Sequence, residues 1–328
     1  MFKINVIETF FNIADIIIRI KSEFAPKKET SSIFHYSEFI LKDKPNKVDI
    51  KITLKVIPKY TIFSSREVFK TERCGHKKCR SESDILFPSV HLNFGKTERR
   101  YFGSNLDWRI GKTGRMILIE GNNPVRYQLL MNEGLTDGEL FIINADNEWK
   151  LVEVIYGFLR VLIIYYMAKR QIGILFHSAG IKEGKNGYLF AGLSRAGKTT
   201  TSRIWGKVPG IKIINDDRII IRKDSNDFYM YPTPWHSHYS EYLIEGAVEK
   251  ARLSKLFYIY HRRTNLAERL NFIDGFNHFC KTLFFSPWDK ECVNFTFGFL
   301  SDILSQKPCY KFGFKNDRRI VSYIMNLK

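Results

Sequence analysis

The chain has 328 residues, of which 44% are hydrophobic and 15% aromatic, and it carries a formal net charge of +18. This composition excludes a largely disordered protein, and the length suits two domains. An odd count of five cysteines argues against the disulfide framework of a secreted protein. The basic residues are scattered without an RNA-binding or recognition-helix pattern, so we favour a lysine-rich surface over nucleic-acid binding.

The N-terminal part, to about residue 145, is predicted to be β-rich after a first helix. Residues 2–20 are apolar at roughly helical spacing, and Glu8 and Asp15 interrupt them, which argues against a signal peptide. Residues 49–57 alternate between apolar and polar side chains, as in a half-buried strand. Further short apolar runs between turn signals are found at 116–119, 125–131 and 140–143. Such runs indicate a small sheet or barrel, to which we assign no chemistry.

Neither a zinc site nor a membrane span is predicted. Residues 74–79 contain two cysteines and a histidine, but a structural zinc ion normally needs a fourth ligand. A helix predicted over 147–170 is apolar almost all round, yet Glu153 and Arg160 interrupt it. Two charges in so short a stretch are typical of a buried helix rather than a membrane-spanning one. We therefore expect a cytoplasmic protein.

A phosphate-binding loop is predicted at residues 192–199. From 172 to 222 the sequence predicts strand, turn, strand, glycine-rich loop, helix, strand, turn and strand. The loop reads Gly-Leu-Ser-Arg-Ala-Gly-Lys-Thr and matches the Walker A pattern, for which a chance match in this chain is expected at about one per cent. Its glycines let backbone N–H groups face the phosphates of a nucleotide. The residues predicted to contact the nucleotide are Gly192, Ser194, Arg195, Ala196, Gly197, Lys198, Thr199 and Thr200.

Two further elements are predicted to converge on this loop. Asp216 and Asp217 end an apolar run 18 positions after Lys198, so one helix and one strand separate them from the loop. The pair is expected at the end of the neighbouring strand, with a turn or helix cap as the alternative. His177 follows the predicted strand 172–176, and it either returns to the phosphate site or is structural.

The stretch from Leu175 to Ile221 resembles the nucleotide-binding domain shared by HPr kinase/phosphorylase and phosphoenolpyruvate carboxykinase. The resemblance lies in the His-containing turn at 176–179, the Gly-Leu-Ser-x-x-Gly-Lys-Thr-Thr loop and the Asp-Asp pair. Weaker similarity to HPr-kinase-related proteins found beside ribosomal peptide biosynthesis genes extends through 231–235 and 310–320. The resemblance implies an α/β fold, with an HPr-kinase-like P-loop domain over 146–328 and a β-rich N-terminal region over 1–145.

The resemblance also implies roles for individual residues. Lys198 would hold the phosphates, and Thr199 and Asp217 would hold Mg²⁺. Asp216 would be the general base, and His177 would lie next to the metal or the transferring phosphoryl group. These residue types suit phosphoryl transfer, which needs positioning, charge neutralisation and one carboxylate near the nucleophile.

The predicted function is ATP- and Mg²⁺-dependent phosphorylation of a hydroxyl, expected to be a Ser or Thr of a peptide or small protein. A small-molecule kinase and a non-catalytic nucleotide-binding module of a peptide-biosynthesis complex stay open. HPr itself is not expected, because the docking loop of the family is not recognisable, and the related kinases suggest a homo-oligomer. His236 and His238, which flank Ser237, either line the substrate groove or lie in an exposed loop.

Overall fold

A computed structural model describes residues 6–27, 36–57, 66–70, 107–122, 126–143, 149–236 and 249–327. The cysteine-containing run at 74–79 and His238 lie outside the described residues. The chain divides into two compact units, of which the first is 1–31 with 40–166 and the second is 32–39 with 167–328. In the described parts each unit is built on one sheet, and strands outnumber helices in a mixed α/β architecture.

The first unit holds a sheet of eight strands within the described ranges. These strands are β1 (Ile7–Ile13), β2 (Ile16–Ser22), β3 (Ile50–Ile57), β4 (Arg66–Lys70), β5 (Asp107–Thr113), β6 (Met116–Asn122), β7 (Arg126–Asn132) and β8 (Asp137–Ile143). Their order is β1-β2-β3-β8-β7-β6-β5-β4, with β3 parallel to both β2 and β8. Ile50, Ile52 and Leu54 of β3 are buried on one face, as the alternating pattern predicts.

The N-terminal helix prediction is wrong, because β1 and β2 form an antiparallel hairpin. Ala14 and Asp15 make the turn with φ values of 53° and 58°. The Asn12 side chain stabilises this turn by accepting a hydrogen bond from the Asp15 N–H at 3.0 Å. The segment is rich in isoleucine, whose β-branched side chain favours strands, and burial alternates along β2. The alternation of buried and less buried side chains, a period of two residues, is thus the pattern that this segment follows.

The helix predicted over 147–170 has three parts. They are α1 (Leu151–Val154), a π-helical segment (Ile155–Leu159) and α2 (Arg160–Lys169). The irregularity lies at Gly157, whose φ of −77° and ψ of −109° are not helical. The segment is buried, as its apolar character predicts. Among the residues described, no helix has the length and apolar character that crossing a bilayer requires.

The second unit follows the predicted order of elements between 172 and 222. Its strands are β9 (Gly173–Glu183), β10 (Asn186–Ala191), β11 (Ile211–Asn215), β12 (Arg218–Asp224), β13 (Asp227–Tyr231), β14 (Ala251–His261), β15 (Leu266–Arg269), β16 (Leu283–Phe284) and β17 (Cys309–Phe314). Its helices are α3 (Lys198–Trp205), α4 (Phe272–Phe279), α5 (Lys290–Gln306) and α6 (Arg319–Met325), with short 3₁₀ turns at Ser37–Phe39 and Cys280–Thr282.

Two features of this second sheet position the site. Strand β9 pairs with β12 through residues 173–177 and with β10 through residues 178–183. Strands β10, β14 and β17 are parallel neighbours, so their carboxyl ends lie at one edge. Successive residues of β14 alternate between two apolar clusters, one containing α3 and α6 residues and the other α4 and α5 residues. Helices therefore cover both faces of the sheet.

Candidate functional site

The glycine-rich loop connects the end of β10 to the start of α3. Gly197 precedes the helix with a φ of 104°, a conformation that favours glycine. A Cβ atom at this position would overlap the ring of Phe314 and would lie 3.2 Å from Cε1 of His261. A Cβ atom at Gly192 would lie 2.9 Å from the carbonyl oxygen of Ile259. Both glycines of the predicted pattern are therefore required by close packing against β14 and β17.

The middle of the loop is anchored to the end of β14. Arg195 is exposed and has a φ of 65°, which is uncommon for a residue other than glycine. Its carbonyl oxygen accepts a hydrogen bond from Nε2 of His261 at 3.0 Å. A second bond, from the Ala196 N–H to the Leu193 carbonyl at 3.0 Å, closes a turn inside the loop. One hydrogen bond to β14 and one inside the loop therefore stabilise the loop backbone.

Lys198 is the first residue of α3 and is only 6% exposed. Its ammonium group donates to the carbonyl oxygens of Gly192 at 3.0 Å and Leu193 at 3.1 Å. Thr199 and Thr200 follow it and are half-buried. The first backbone N–H groups of a helix lack intrahelical acceptors, and the helix dipole adds positive potential there. A buried lysine and a helix N-terminus together favour an anionic ligand at this loop.

The two predicted aspartates lie in the turn between β11 and β12. Asp216 is 3% exposed, and the side chain of Asp217 is 15% exposed. The turn is fixed by Asn215, whose Oδ1 accepts hydrogen bonds from the N–H groups of Asp217 and Arg218, each at 2.8 Å. The pair therefore belongs to a tightly bonded turn and is not a helix cap.

The structure brings His177 and Asp217, two of the predicted site residues, into contact. His177 lies within β9, opposite Arg218 of β12, rather than after the end of a strand as the sequence predicts. Its Nε2 is 3.0 Å from Oδ1 of Asp217. Oδ2 of the same carboxylate contacts the Arg218 guanidinium, which is 3% exposed and lies 4.6 Å from the centre of the Phe284 ring. Both oxygens of Asp217 are thus engaged.

The charges at this site shift two pKa values. Burial, and then the positive charges of Lys198 and Arg218, lower the pKa of His177 to about 4. His177 is therefore neutral at pH 7, and its hydrogen bond to a carboxylate requires the proton on Nε2. Burial raises the pKa of Asp217, but Arg218, His177 and Lys198 outweigh burial and hold it well below its usual range.

Lys198 therefore acts electrostatically on both His177 and Asp217, although 21 and 19 positions separate it from them. Thr199, next to Lys198, has a hydroxyl oxygen, and the two Asp217 oxygens, although His177 and Arg218 contact them, each have a further lone pair. Such hard oxygen donors suit Mg²⁺, which is usually bound through one or two protein ligands together with phosphate oxygens. In the part of the chain that the structure describes, no group of three or more His, Cys, Asp or Glu side chains forms a ready-made metal site.

No protein-family model matches this chain, and no curated protein is a significant match. Among solved structures, the chain has a distant similarity to the Hpr(Ser) kinase/phosphatase from Coxiella burnetii. The sequence identity is 12% and the TM-score is 0.28, and the similarity covers 46% of this chain and 85% of that chain. A similarity of this extent establishes no family.

Sequence reasoning missed three residues that shape the site: Asn215, Arg218 and Phe284. Asn215 precedes the Asp-Asp pair, and an asparagine at the start of a turn is a signal for a side chain that bonds the backbone two residues on. Arg218 follows the pair directly, but its packing on Phe284 joins residues 66 positions apart. No local pattern indicates such a contact.

Proposed function

We propose that this chain is an ATP- and Mg²⁺-dependent kinase that phosphorylates a hydroxyl group. The observation that supports the proposal is the hydrogen-bonded His177–Asp217 pair, whose pKa values the positive charge of Lys198 in the glycine-rich loop helps to lower. These residues come from three separate elements, and the positive charge of Lys198 at the start of α3 acts on both the imidazole and the carboxylate. Phosphoryl transfer depends mainly on such positioning and charge neutralisation.

The residues divide the chemistry between them. Asp216 accepts the proton of the acceptor hydroxyl, whose oxygen forms a bond to the γ-phosphorus while the bond to the β–γ bridging oxygen breaks. The products are a phosphate monoester, ADP and one proton. Lys198 stabilises the charge on the phosphates, and Thr199 and Asp217 would hold Mg²⁺, which neutralises phosphate oxygens when bound.

We assign the nucleoside part of ATP to a cleft near the same edge of the sheet. It has a volume of about 750 Å³, within the usual range for small-molecule sites, and its lining includes Arg263, Asn265, Lys315, Asp317, Arg319 and Tyr323. These residues begin just beyond His261 and Phe314, the last residues of β14 and β17, which the loop glycine Gly197 touches. Ligands of open α/β sheets bind at the carboxyl ends of parallel strands.

The acceptor that we propose is a Ser or Thr of a peptide or small protein, as the resemblance of the 175–221 stretch implies. A small metabolite is the alternative acceptor. The remaining alternative, a nucleotide-binding module without catalysis, differs from both because it has no need of a general base at Asp216.

The test compares Asp216→Asn with the wild-type protein. Transfer from Mg²⁺-ATP to a library of Ser- and Thr-containing peptides is measured, together with slow transfer to water, and ATP binding is measured by calorimetry. We expect a rate loss of about 10²- to 10⁴-fold in the variant, the usual contribution of a general base, with ATP affinity within about threefold of wild type. A wild-type protein that binds no ATP, or a variant that keeps full turnover, contradicts the proposal.

A further inference from the structure

The turn that carries Asp216 and Asp217 is held by a small polar network. Asn215 and Thr233 are both fully buried, with 0% exposure. The Asn215 amide nitrogen donates to the Thr233 carbonyl oxygen at 2.9 Å and lies 3.3 Å from the Thr233 hydroxyl. The Thr233 hydroxyl in turn donates to the Arg218 carbonyl oxygen at 2.9 Å. The turn is therefore bonded at its N–H groups by Asn215 and at a carbonyl by Thr233.

The hydrogen bonds determine the orientation of the Asn215 amide. Its Oδ1 faces the two N–H donors of Asp217 and Arg218, and its nitrogen faces a carbonyl oxygen, so the reverse orientation would oppose like groups. The same nitrogen lies 2.9 Å from Nδ1 of His236. An amide nitrogen only donates, so Nδ1 of His236 accepts this hydrogen bond.

We propose that Asn215 and Thr233 are positioning residues that set the direction of the two aspartates toward the phosphate loop. This inference rests on the proposed function, since the aspartates are its base and metal ligand. Asn215 accepts hydrogen bonds from the backbone N–H groups of Asp217 and Arg218. Its amide therefore fixes the backbone at two successive residues of the turn. Thr233 lies 15 positions beyond Arg218 and joins the turn to the segment after β13.

The alternative is that this network contributes to stability alone. A buried polar group without a partner is costly anywhere in a fold, so loss of stability by itself does not separate the two explanations. A positioning role makes a further prediction: loss of the network changes kcat and the Mg²⁺ requirement. The affinity for ATP without Mg²⁺ depends on the loop and should not change.

The test uses the full chain and a matched set of variants. Thr233→Val removes the hydroxyl and keeps the branched shape, Thr233→Ser keeps the hydroxyl, and Asn215→Ala removes both halves of the network. Thr296→Val is the control, because the Thr296 hydroxyl is equally buried and donates to a carbonyl, that of Cys292, at 2.7 Å in α5. Each variant is assayed for melting temperature, ATP affinity without Mg²⁺, kcat and the Mg²⁺ concentration at half-maximal rate.

We expect Asn215→Ala to lower kcat by about 100-fold and to raise the half-maximal Mg²⁺ concentration by about tenfold. Thr233→Val should change both quantities in the same direction and lower kcat by about tenfold. Thr233→Ser should keep most of the wild-type rate. The control should lose melting temperature alone. The proposal is overturned if Thr233→Val and Thr296→Val behave alike, or if the Asn215 variant loses stability with unchanged kcat and Mg²⁺ dependence.

A separate measurement distinguishes this inference from the proposed kinase activity. Binding of Mn²⁺ to the protein–ATP complex is followed by electron paramagnetic resonance, which needs no phosphate acceptor. If the wild type transfers phosphate to no hydroxyl, the kinase proposal fails. The positioning role is still supported if Asn215→Ala weakens Mn²⁺ binding in that complex, and it is overturned if Mn²⁺ binding is unchanged.

Discussion

The two units of the chain differ in what they bury. In the described part of the first unit, the buried polar or charged residues are Ser22, Glu120, Gln128 and Arg160. In the described part of the second unit they are Ser178, Lys198, Thr201, Ser202, Asn215, Asp216, Arg218, Thr233, Thr282, Ser286 and Thr296. Burial of polar groups costs free energy unless each finds a partner, so a unit that buries many of them needs a dense network of hydrogen bonds.

The location of these residues matters more than their number. Those of the second unit concentrate in the glycine-rich loop with the start of α3 and in the turn between β11 and β12 with its contacts. The first unit instead pairs one amide with one carboxylate, Gln128 with Glu120, at 2.7 Å on adjacent strands. Under the proposed function, the buried polar groups of the second unit serve chemistry, whereas the pair in the first unit joins adjacent strands of its sheet.

The strongest test of this difference replaces one lysine in each unit. Lys198→Met removes the cation of the phosphate loop, and we expect ATP affinity to fall by about 100-fold, since charge-assisted bonds to phosphates are strong. Lys55→Met is the matched control, because that ammonium lies on the first unit's surface, 2.6 Å from the Glu139 carboxylate. It should leave ATP affinity unchanged by calorimetry. Unchanged binding by the Lys198 variant would show that the loop prediction is wrong.

A pair of glycines gives the next largest effect. Gly114 and Gly197 both have positive φ values, 57° and 104°, but nothing lies within 4 Å of a Cβ atom at Gly114, whereas one at Gly197 overlaps Phe314. Gly114→Ala should cost only backbone strain, about 1 kcal/mol, seen as a small fall in melting temperature. Gly197→Ala should lower ATP affinity by about tenfold as well, because the loop must shift. If the two variants behaved alike in both assays, close packing against Phe314 would not explain the need for glycine at 197.

The smallest functional effect is expected at Gln128. Gln128→Leu removes the buried amide that donates to Glu120, which should lower the melting temperature by a few degrees, since a lost buried hydrogen bond costs about 1–3 kcal/mol. ATP affinity and turnover should stay at wild-type values. A change of turnover in this variant would break the comparison, because it would give the first unit a part in the reaction.

Local patterns in the sequence were sufficient for the loop and for the order of elements around it. The Walker A spacing, the apolar run before Asp216 and the glycine turns all act over a few residues, and the structure has those elements in that order. The roles of Asp216, Asp217, His177 and the loop residues stay predictions, although the structure brings His177 and Asp217 into contact.

The failures have physical causes. The apolar residues of 2–20 fit a helical period loosely, but isoleucine-rich segments with a turn at Ala14 and Asp15 pair as strands, and strand pairing depends on partners distant in sequence. The stacking of Arg218 on Phe284 and the bond from Asn215 to Thr233 also join separate elements. Such contacts are set by tertiary packing, which no window of neighbouring residues contains.

Strand β9 carries His177 in the half that pairs with β12, and its other half pairs with β10, which leads directly into the glycine-rich loop. Side chains alternate between faces along a strand, so an insertion of one residue near Ala179 would turn the histidine to the opposite face while the loop kept its place. A change in the length of this strand would therefore separate His177 from Asp217.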